Sequence, residues 1–204
     1  MKSTIHSILI ALTVVGTACF ITSCAAPDTQ HHVIVSVPEQ RLALIDKGVP
    51  VATYPVSTSK FGLGDRPGCC GTPLGELEVA AKIGDAAPVG EVLKNRRSTG
   101  EIIAANAPGR DPIVTRIMWL RGREAQNQNA YGRYIYIHGT PEERNIGRPA
   151  SYGCIRMRSN DVIQLYNVVG TGAQVTIINA PLRTVIQQPA SGLTHALTRG
   201  APEL

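Results

Sequence analysis

A chain of 204 residues has room for one domain and a small appendage, which excludes a multidomain assembly and a long repeat array. Its 20 basic and 15 acidic side chains nearly balance and 43% of it is apolar, so it is neither a disordered polyelectrolyte nor too polar to build a core. Glycine and proline, 20 and 14 in number, favour turns, and five cysteines are too few to staple a small domain.

The chain opens on Lys2 and a nearly unbroken apolar run over residues 8–20. The run falls short of the ~20 residues that span a membrane and matches the hydrophobic region of an export signal instead. Ile21-Thr22-Ser23-Cys24 follows and resembles a bacterial lipobox, in which small residues precede a cysteine that is lipidated and becomes the new N-terminus. The resemblance implies a lipoprotein signal peptide over residues 1–23, lipidation of Cys24, and an exported protein anchored to a membrane of the cell envelope. In a cell with two membranes, Ala25 rather than aspartate after that cysteine points to the outer one. Residues 24–30 read as a short polar linker reaching at most ~25 Å. The mildly basic net charge suits an anionic wall or membrane surface, whereas no Lys/Arg-rich run or aromatic-basic stripe points to nucleic acid.

From residue 31 the hydropathy alternates with period two. Residues 32–37 and 41–45 read as a hairpin about Pro38-Glu39-Gln40, and 49–58 as a third strand kept to an edge or irregular position by Pro50 and Pro55. Residues 60–75 are a glycine-rich loop with Pro67, Pro73 and the vicinal Cys69-Cys70. Its Gly62-Leu63-Gly64 lacks the further glycine and lysine of a phosphate cradle, which excludes nucleotide binding. Strands are expected over 77–83, 113–120 and 134–138, with an irregular stretch over 86–106 and a polar connection over 122–132. Ser159-Asn160-Asp161 offers an N-cap for a helix whose apolar face is Val162, Leu165, Tyr166 and Val169 and which stops at Gly170. A last strand covers 174–178, and residues 183–204 read as a loosely ordered tail. The sum is one mainly β domain over residues 31–182, a sandwich or partly closed barrel with one short helix.

Two segments carry candidate chemistry. One is Tyr134-Ile135-Tyr136-Ile137-His138-Gly139-Thr140; the other is Ser151-Tyr152-Gly153-Cys154-Ile155-Arg156-Met157. If Ile135 and Ile137 face the core, Tyr134, Tyr136 and His138 share the opposite face. Cys154 follows in a turn of small residues just ahead of the helix. A thiol is a weak nucleophile until deprotonated, and an imidazole can take its proton and return it to a leaving amine. Gly153 would let a substrate carbonyl approach the backbone, with the N–H groups of Gly153, Cys154 and Tyr152 as oxyanion donors. A nearby backbone carbonyl would orient the second imidazole nitrogen. Arg156, two residues further along extended chain, would project to the same side and meet a substrate carboxylate or amide oxygen. A lone cysteine or histidine is more often an inert packing residue, and residue types and spacing by themselves leave both readings open. Cys69 and Cys70 read as unpaired loop residues rather than a redox switch on Cys154, because a bridge between neighbours is strained. His31, His32 and His195 share no ligand spacing with a cysteine or carboxylate, so no metal is expected.

The segment His138-Gly139-Thr140 followed by Ser151-Tyr152-Gly153-Cys154-Ile155-Arg156-Met157 closely resembles the signature of the L,D-transpeptidases with a YkuD-type catalytic domain: H-G, a gap, then S-x-G-C-[IV]-R-[ML]. Thr72-Pro73-Leu74-Gly75 resembles the family's upstream T-P-x-G, and the resemblance spans roughly residues 32–180. It implies a YkuD-like fold with Cys154 as nucleophile, forming a thioester, and His138 as general base. The Gly139 carbonyl would orient the imidazole, with Ser151, Gly153 and Arg156 around the acyl group and Tyr136 and Tyr152 beside it. The implied substrates are peptidoglycan stem peptides, cut between an L-centred diaminopimelate and a terminal D-alanine. The acyl group would pass to an acceptor amine on a stem peptide, an envelope protein or a free D-amino acid, and no cofactor is implied. Tyr152 stands where family members often have histidine, which changes the shape of the cleft rather than its proton carriers. The same residues would serve an L,D-carboxypeptidase, a thiol hydrolase with water as acceptor. A non-catalytic wall-binding lipoprotein is a third reading, against which the joint presence of Cys154, His138 and Arg156 argues. A papain-like peptidase is disfavoured because its cysteine precedes its histidine.

Overall fold

The contiguous apolar runs Val33-Ile34-Val35 and Leu42-Ala43-Leu44-Ile45 bury the first hairpin on both faces. In the computed structural model, which describes residues 26–186, β1 (His31–Ser36) pairs antiparallel with β2 (Arg41–Asp46), Val33 opposite Leu44. Val33, Val35, Leu42 and Leu44 enter the main core, while Ile34, Ala43 and Ile45 form a second cluster behind it. β3 (Val49–Pro55) pairs with β2 on one side, and the ladder slips between Leu44 and Ile45, opposite Pro50, which has no N–H to offer. On the other side of β1 the order continues through β10 (Gln174–Ile178), parallel to β1, then β4 (Gly75–Ile83) and β7 (Val114–Gly122), each antiparallel to its neighbour. β8 (Tyr136–Gly139) pairs with β7, and β9 (Ile155–Met157) lies parallel to β8.

The chain leaving β3 closes this path. Ser57 exchanges two backbone hydrogen bonds of 2.9 Å with Arg156 of β9. An isolated bridge thus joins the ends of an otherwise open mixed sheet, giving the mainly β, partly closed architecture expected from the sequence. The enclosed core takes side chains from both ends of the sheet, among them Leu42, Val79, Met118, Ile137, Ile155 and Met157. The helix α1 (Ser159–Val168) adds Val162, Leu165 and Tyr166 to the same core, on the face its spacing predicts.

Four expectations are corrected. The stretch 86–106 is not irregular: β5 (Glu91–Lys94) and β6 (Arg97–Ile102) form a hairpin. β6 is exposed along its whole length, so it carries no alternation, and its turn uses Asn95 and Arg96 at φ 51° and 64° rather than a glycine. Ser159 does not cap α1. The cap position is Arg158, without a side-chain bond; Glu143 Oε1 accepts the Ser159 N–H at 2.9 Å, and the Ser159 hydroxyl turns to Thr115 at 2.9 Å. The expected linker is shorter than residues 24–30, because Asp28 is already docked: its N–H donates to Thr171 O at 2.8 Å and its Oδ2 accepts from Gly170 N at 2.7 Å. The expected tail begins later than residue 183, because Arg183–Ile186 form a short helix, α2, and Ile186 packs on the second cluster. Residues 1–23, the lipidation site Cys24, and the tail from residue 187 lie outside the described residues.

Candidate active site

The parallel ladder of β8 and β9 builds the site. Its register sets Ile137 opposite Ile155 and His138 opposite Arg156. Ile137, Ile155 and Met157 are fully buried in the core, so the alternate residues Tyr136, His138 and Arg156, and Cys154 just before β9, share the other face. Cys154 packs there against a small cluster that contains Tyr136 and Trp119. Its Sγ donates to the Tyr134 carbonyl at 3.3 Å.

Tyr134 itself is not in the strand. It has φ 59° and is 51% exposed, so the common face expected for Tyr134, Tyr136 and His138 holds as strand geometry only for the last two. Tyr134 reaches that side from a turn, with its ring 6.5 Å from Tyr136.

His138 Nδ1 lies 2.8 Å from the Gly139 carbonyl. A carbonyl only accepts, so Nδ1 carries the proton and the neutral ring keeps its Nε2 lone pair free to take another. Gly139 is required here by close approach: a Cβ would stand 2.6 Å from Val114 O on β7. Burial pushes the His138 imidazole down to about 4, more than the Gly139 bond and Asp111 raise it. Burial pushes the Cys154 thiol up to about 11, against a backbone hydrogen bond from Tyr136 and the charges of Arg156 and Arg133. Near neutral pH the pair therefore rests as thiol and imidazole, not as thiolate and imidazolium. Alkylation of Cys154 by iodoacetamide should then rise about tenfold per pH unit from pH 7 to 10. Peptide mapping, which separates Cys154 from Cys69 and Cys70, would follow it; a plateau beginning below pH 7 would contradict the neutral resting pair.

The turn before Cys154 is tied down internally. Ser151 Oγ donates to Cys154 O at 2.6 Å and accepts the Gly153 N–H at 3.2 Å. The Gly153 N–H is thus turned inward and is not the free oxyanion donor expected; the Cys154 and Tyr152 N–H groups find no partner among the described residues. Gly153 has φ +124°, a conformation that favours glycine, and its carbonyl accepts from Thr72 Oγ1 at 3.0 Å. Thr72, the first residue of the Thr72-Pro73-Leu74-Gly75 motif, so anchors the nucleophile's turn.

Arg156 is 9% exposed, paired with Asp111 at 2.7 Å and donating to Ala150 O at 3.3 Å. Its Nη1 is engaged inside the protein, which gives Arg156 a holding role beside the expected contact with substrate. Tyr152 stands at the rim, 59% exposed, its ring 5.4 Å from Phe61 and its hydroxyl 3.1 Å from Lys60 Nζ.

Sequence reasoning missed two residues. Arg133 pairs with Asp65 at 2.6 Å and donates to the carbonyls of Gly64, Cys69 and Gly71 at 3.0, 2.8 and 2.7 Å, pinning the glycine-rich loop beside Gly153. Nothing in the sequence marks it; a loop with so many carbonyls needs a donor, but not a particular one. Arg96 is the second, carried to the site by the unpredicted β5–β6 turn. Cys69, Cys70 and Cys154 are all free thiols. Among the described residues no three His, Cys, Asp or Glu side chains come together as metal ligands.

The model of the YkuD family, described as an L,D-transpeptidase catalytic domain, matches residues 30–177. The chain belongs to this family. The YkuD match covers every site residue named above, from Lys60 to Arg156. The chain is 29% identical to "Probable L,D-transpeptidase YcfS" of Escherichia coli, over 77% of its own length and 47% of that protein. It is 28% identical to "Probable L,D-transpeptidase YbiS" of the same organism, over 81% of its length and 50% of YbiS. The chain thus spans about half the length of these curated relatives. An L,D-transpeptidase structure from Mycobacterium smegmatis aligns with 73% of the chain and 58% of its own, at 14% identity and a TM-score of 0.47.

Proposed function

We propose that this YkuD domain is an L,D-transpeptidase acting on peptidoglycan stem peptides by acyl transfer through Cys154. The observation that carries the reading is the β8–β9 ladder, which puts the thiol and the imidazole on one face with His138 Nδ1 held on Gly139 O. His138 Nε2 takes the Cys154 proton as the sulfur attacks the carbonyl of an L-centred diaminopimelate. The Cys154 and Tyr152 amides receive the oxyanion, and the tetrahedral adduct collapses to a thioester as the imidazolium protonates the leaving D-alanine amine. An incoming amine then gives its proton to His138, attacks the thioester and releases the thiolate, which takes the proton back. The two half-reactions balance without a cofactor.

The signal over residues 1–23 and the Ile21-Thr22-Ser23-Cys24 sequence support export and lipid anchoring at Cys24, at the envelope membrane next to the wall. Asp28 is docked on Gly170, and only three residues separate it from Cys24, at most ~14 Å of extended chain. The active domain would work close against its membrane.

Intact-mass measurement of the protein with a tetrapeptide muropeptide tests the reading. The expected product is an adduct equal to the donor less D-alanine, discharged by an amine acceptor into a product that contains that acceptor. A water-only product would make the protein an L,D-carboxypeptidase, and no adduct and no D-alanine would sink both.

A further inference from the structure

Arg96 stands at the tip of the β5–β6 hairpin. The turn of Asn95 and Arg96, both at positive φ, folds its side chain back over the active-site face. Its guanidinium lies 5.0 Å from the Trp119 ring and 5.1 Å from the Tyr134 ring, and it also interacts with the Tyr136 phenol. Trp119 is in turn stacked on Tyr131 at 4.1 Å and 8°. These are the aromatic neighbours of the nucleophile: Tyr134 O accepts from Cys154 Sγ, and Tyr136 and Trp119 pack in its cluster.

Charge accounting singles Arg96 out. The two guanidiniums whose charge acts on Cys154 are neutralised, Arg156 by Asp111 at 2.7 Å and Arg133 by Asp65 at 2.6 Å. Among the described residues Arg96 has aromatic neighbours and no carboxylate partner. Aromatic faces hold a guanidinium flat, and a fork of five N–H donors with one on the Tyr136 phenol keeps others to match a carboxylate. A surface arginine without such a seat would pay side-chain entropy to bind an anion; here the orientation is already set.

We propose that Arg96 forms a carboxylate-binding subsite for the acyl donor, seated on Trp119 and Tyr134 and opening beside Cys154. The inference rests on the acyl-transfer reading above. A stem tetrapeptide brings two free carboxylates near the scissile bond, one on the diaminopimelate side chain and one on the terminal D-alanine. Either satisfies the same chemistry, and the two are told apart by amidating each.

The test is calorimetric binding of three tetrapeptides to the full chain carrying Cys154→Ala, so that no turnover intervenes. One donor has both carboxylates free, one has the diaminopimelate carboxylate amidated, and one has the terminal carboxylate amidated. Arg96→Gln in this background is expected to weaken the unmodified donor by ~10–100-fold, the range for a charge-assisted pair. One amidated donor should bind weakly already and be indifferent to Arg96→Gln, which identifies the carboxylate. Arg96→Lys should fall between, since it keeps charge but loses the flat fork. With Cys154 present, Arg96→Gln should raise KM with kcat nearly kept. Equal weakening of all three donors, or none of any, would overturn the subsite and leave Arg96 a latch for the hairpin. If the wild-type protein forms no adduct with any donor, the acyl-transfer reading fails as well; an adduct with no Arg96 effect sinks this proposal alone.

Discussion

Cys154→Ala is expected to lower D-alanine release by ~10⁴-fold or more and to abolish the acyl-enzyme adduct, with the thermal melt little changed. The side chain is half-buried and lends its sulfur to one weak bond with Tyr134 O, so truncation removes chemistry and leaves most of the packing. His138→Gln should cost ~10²–10⁴-fold, the usual worth of a positioned general base. The two losses should not add. A thiol resting neutral, raised to about 11 by burial, needs the imidazole to attack at neutral pH, so the double variant should be no worse than Cys154→Ala. The pH dependence has a definite sign. His138 is lowered to about 4, so the base is available across the neutral range and activity should fall with acidity only as pH approaches that value in the free enzyme. Full activity of Cys154→Ala, or strictly additive losses, would remove the pair from the chemistry.

Arg133→Met is expected to be the most damaging substitution for the fold around the site, at ~3–5 kcal/mol. It strands Asp65, whose side chain is 3% exposed, as an unpaired buried charge. It also leaves the carbonyls of Gly64, Cys69 and Gly71 without their donor. Those carbonyls belong to the loop that ends in Thr72, and Thr72 holds Gly153, so loosening the loop reaches the turn of the nucleophile. Urea unfolding would measure the loss. Adding Asp65→Leu should recover part of the stability by removing the stranded charge. It should recover little activity, because the loop carbonyls remain unserved. Arg133→Met within ~1 kcal/mol of wild type would show that the loop holds itself.

The three arginines about the site divide the work according to their partners. Arg133 and Arg156 are neutralised inside the protein and set backbone, one of the loop and one of the segment around β9. Their positive fields lower the cost of a thiolate at Cys154, and each is matched by a carboxylate. Arg96 has no carboxylate partner among the described residues. Seen from the chain, all three look alike, and the residue two positions after the nucleophile looks the best placed to meet a ligand.

That difference marks the limit of the sequence. Local pattern determined most of the strands, the face of α1 and the pairing of His138 with Cys154 as candidates, because period-two alternation and the H-G and S-x-G-C-I-R-M segments are short-range features that need no knowledge of neighbours. It also led correctly to a mainly β domain of the YkuD family. The β5–β6 hairpin escaped because β6 is exposed throughout and its turn carries Asn95 and Arg96 in place of glycine. The helix cap was misjudged because Glu143, sixteen residues away, supplies the acceptor that Ser159 seemed built to provide. The tertiary structure alone decided which groups are free to act. Asp111 neutralises Arg156, Ser151 engages the Gly153 N–H, and burial sets the resting protonation of both Cys154 and His138. Each is a contact or a loss of water between residues distant in the chain, and free energies of that kind are not carried by any local stretch of residues.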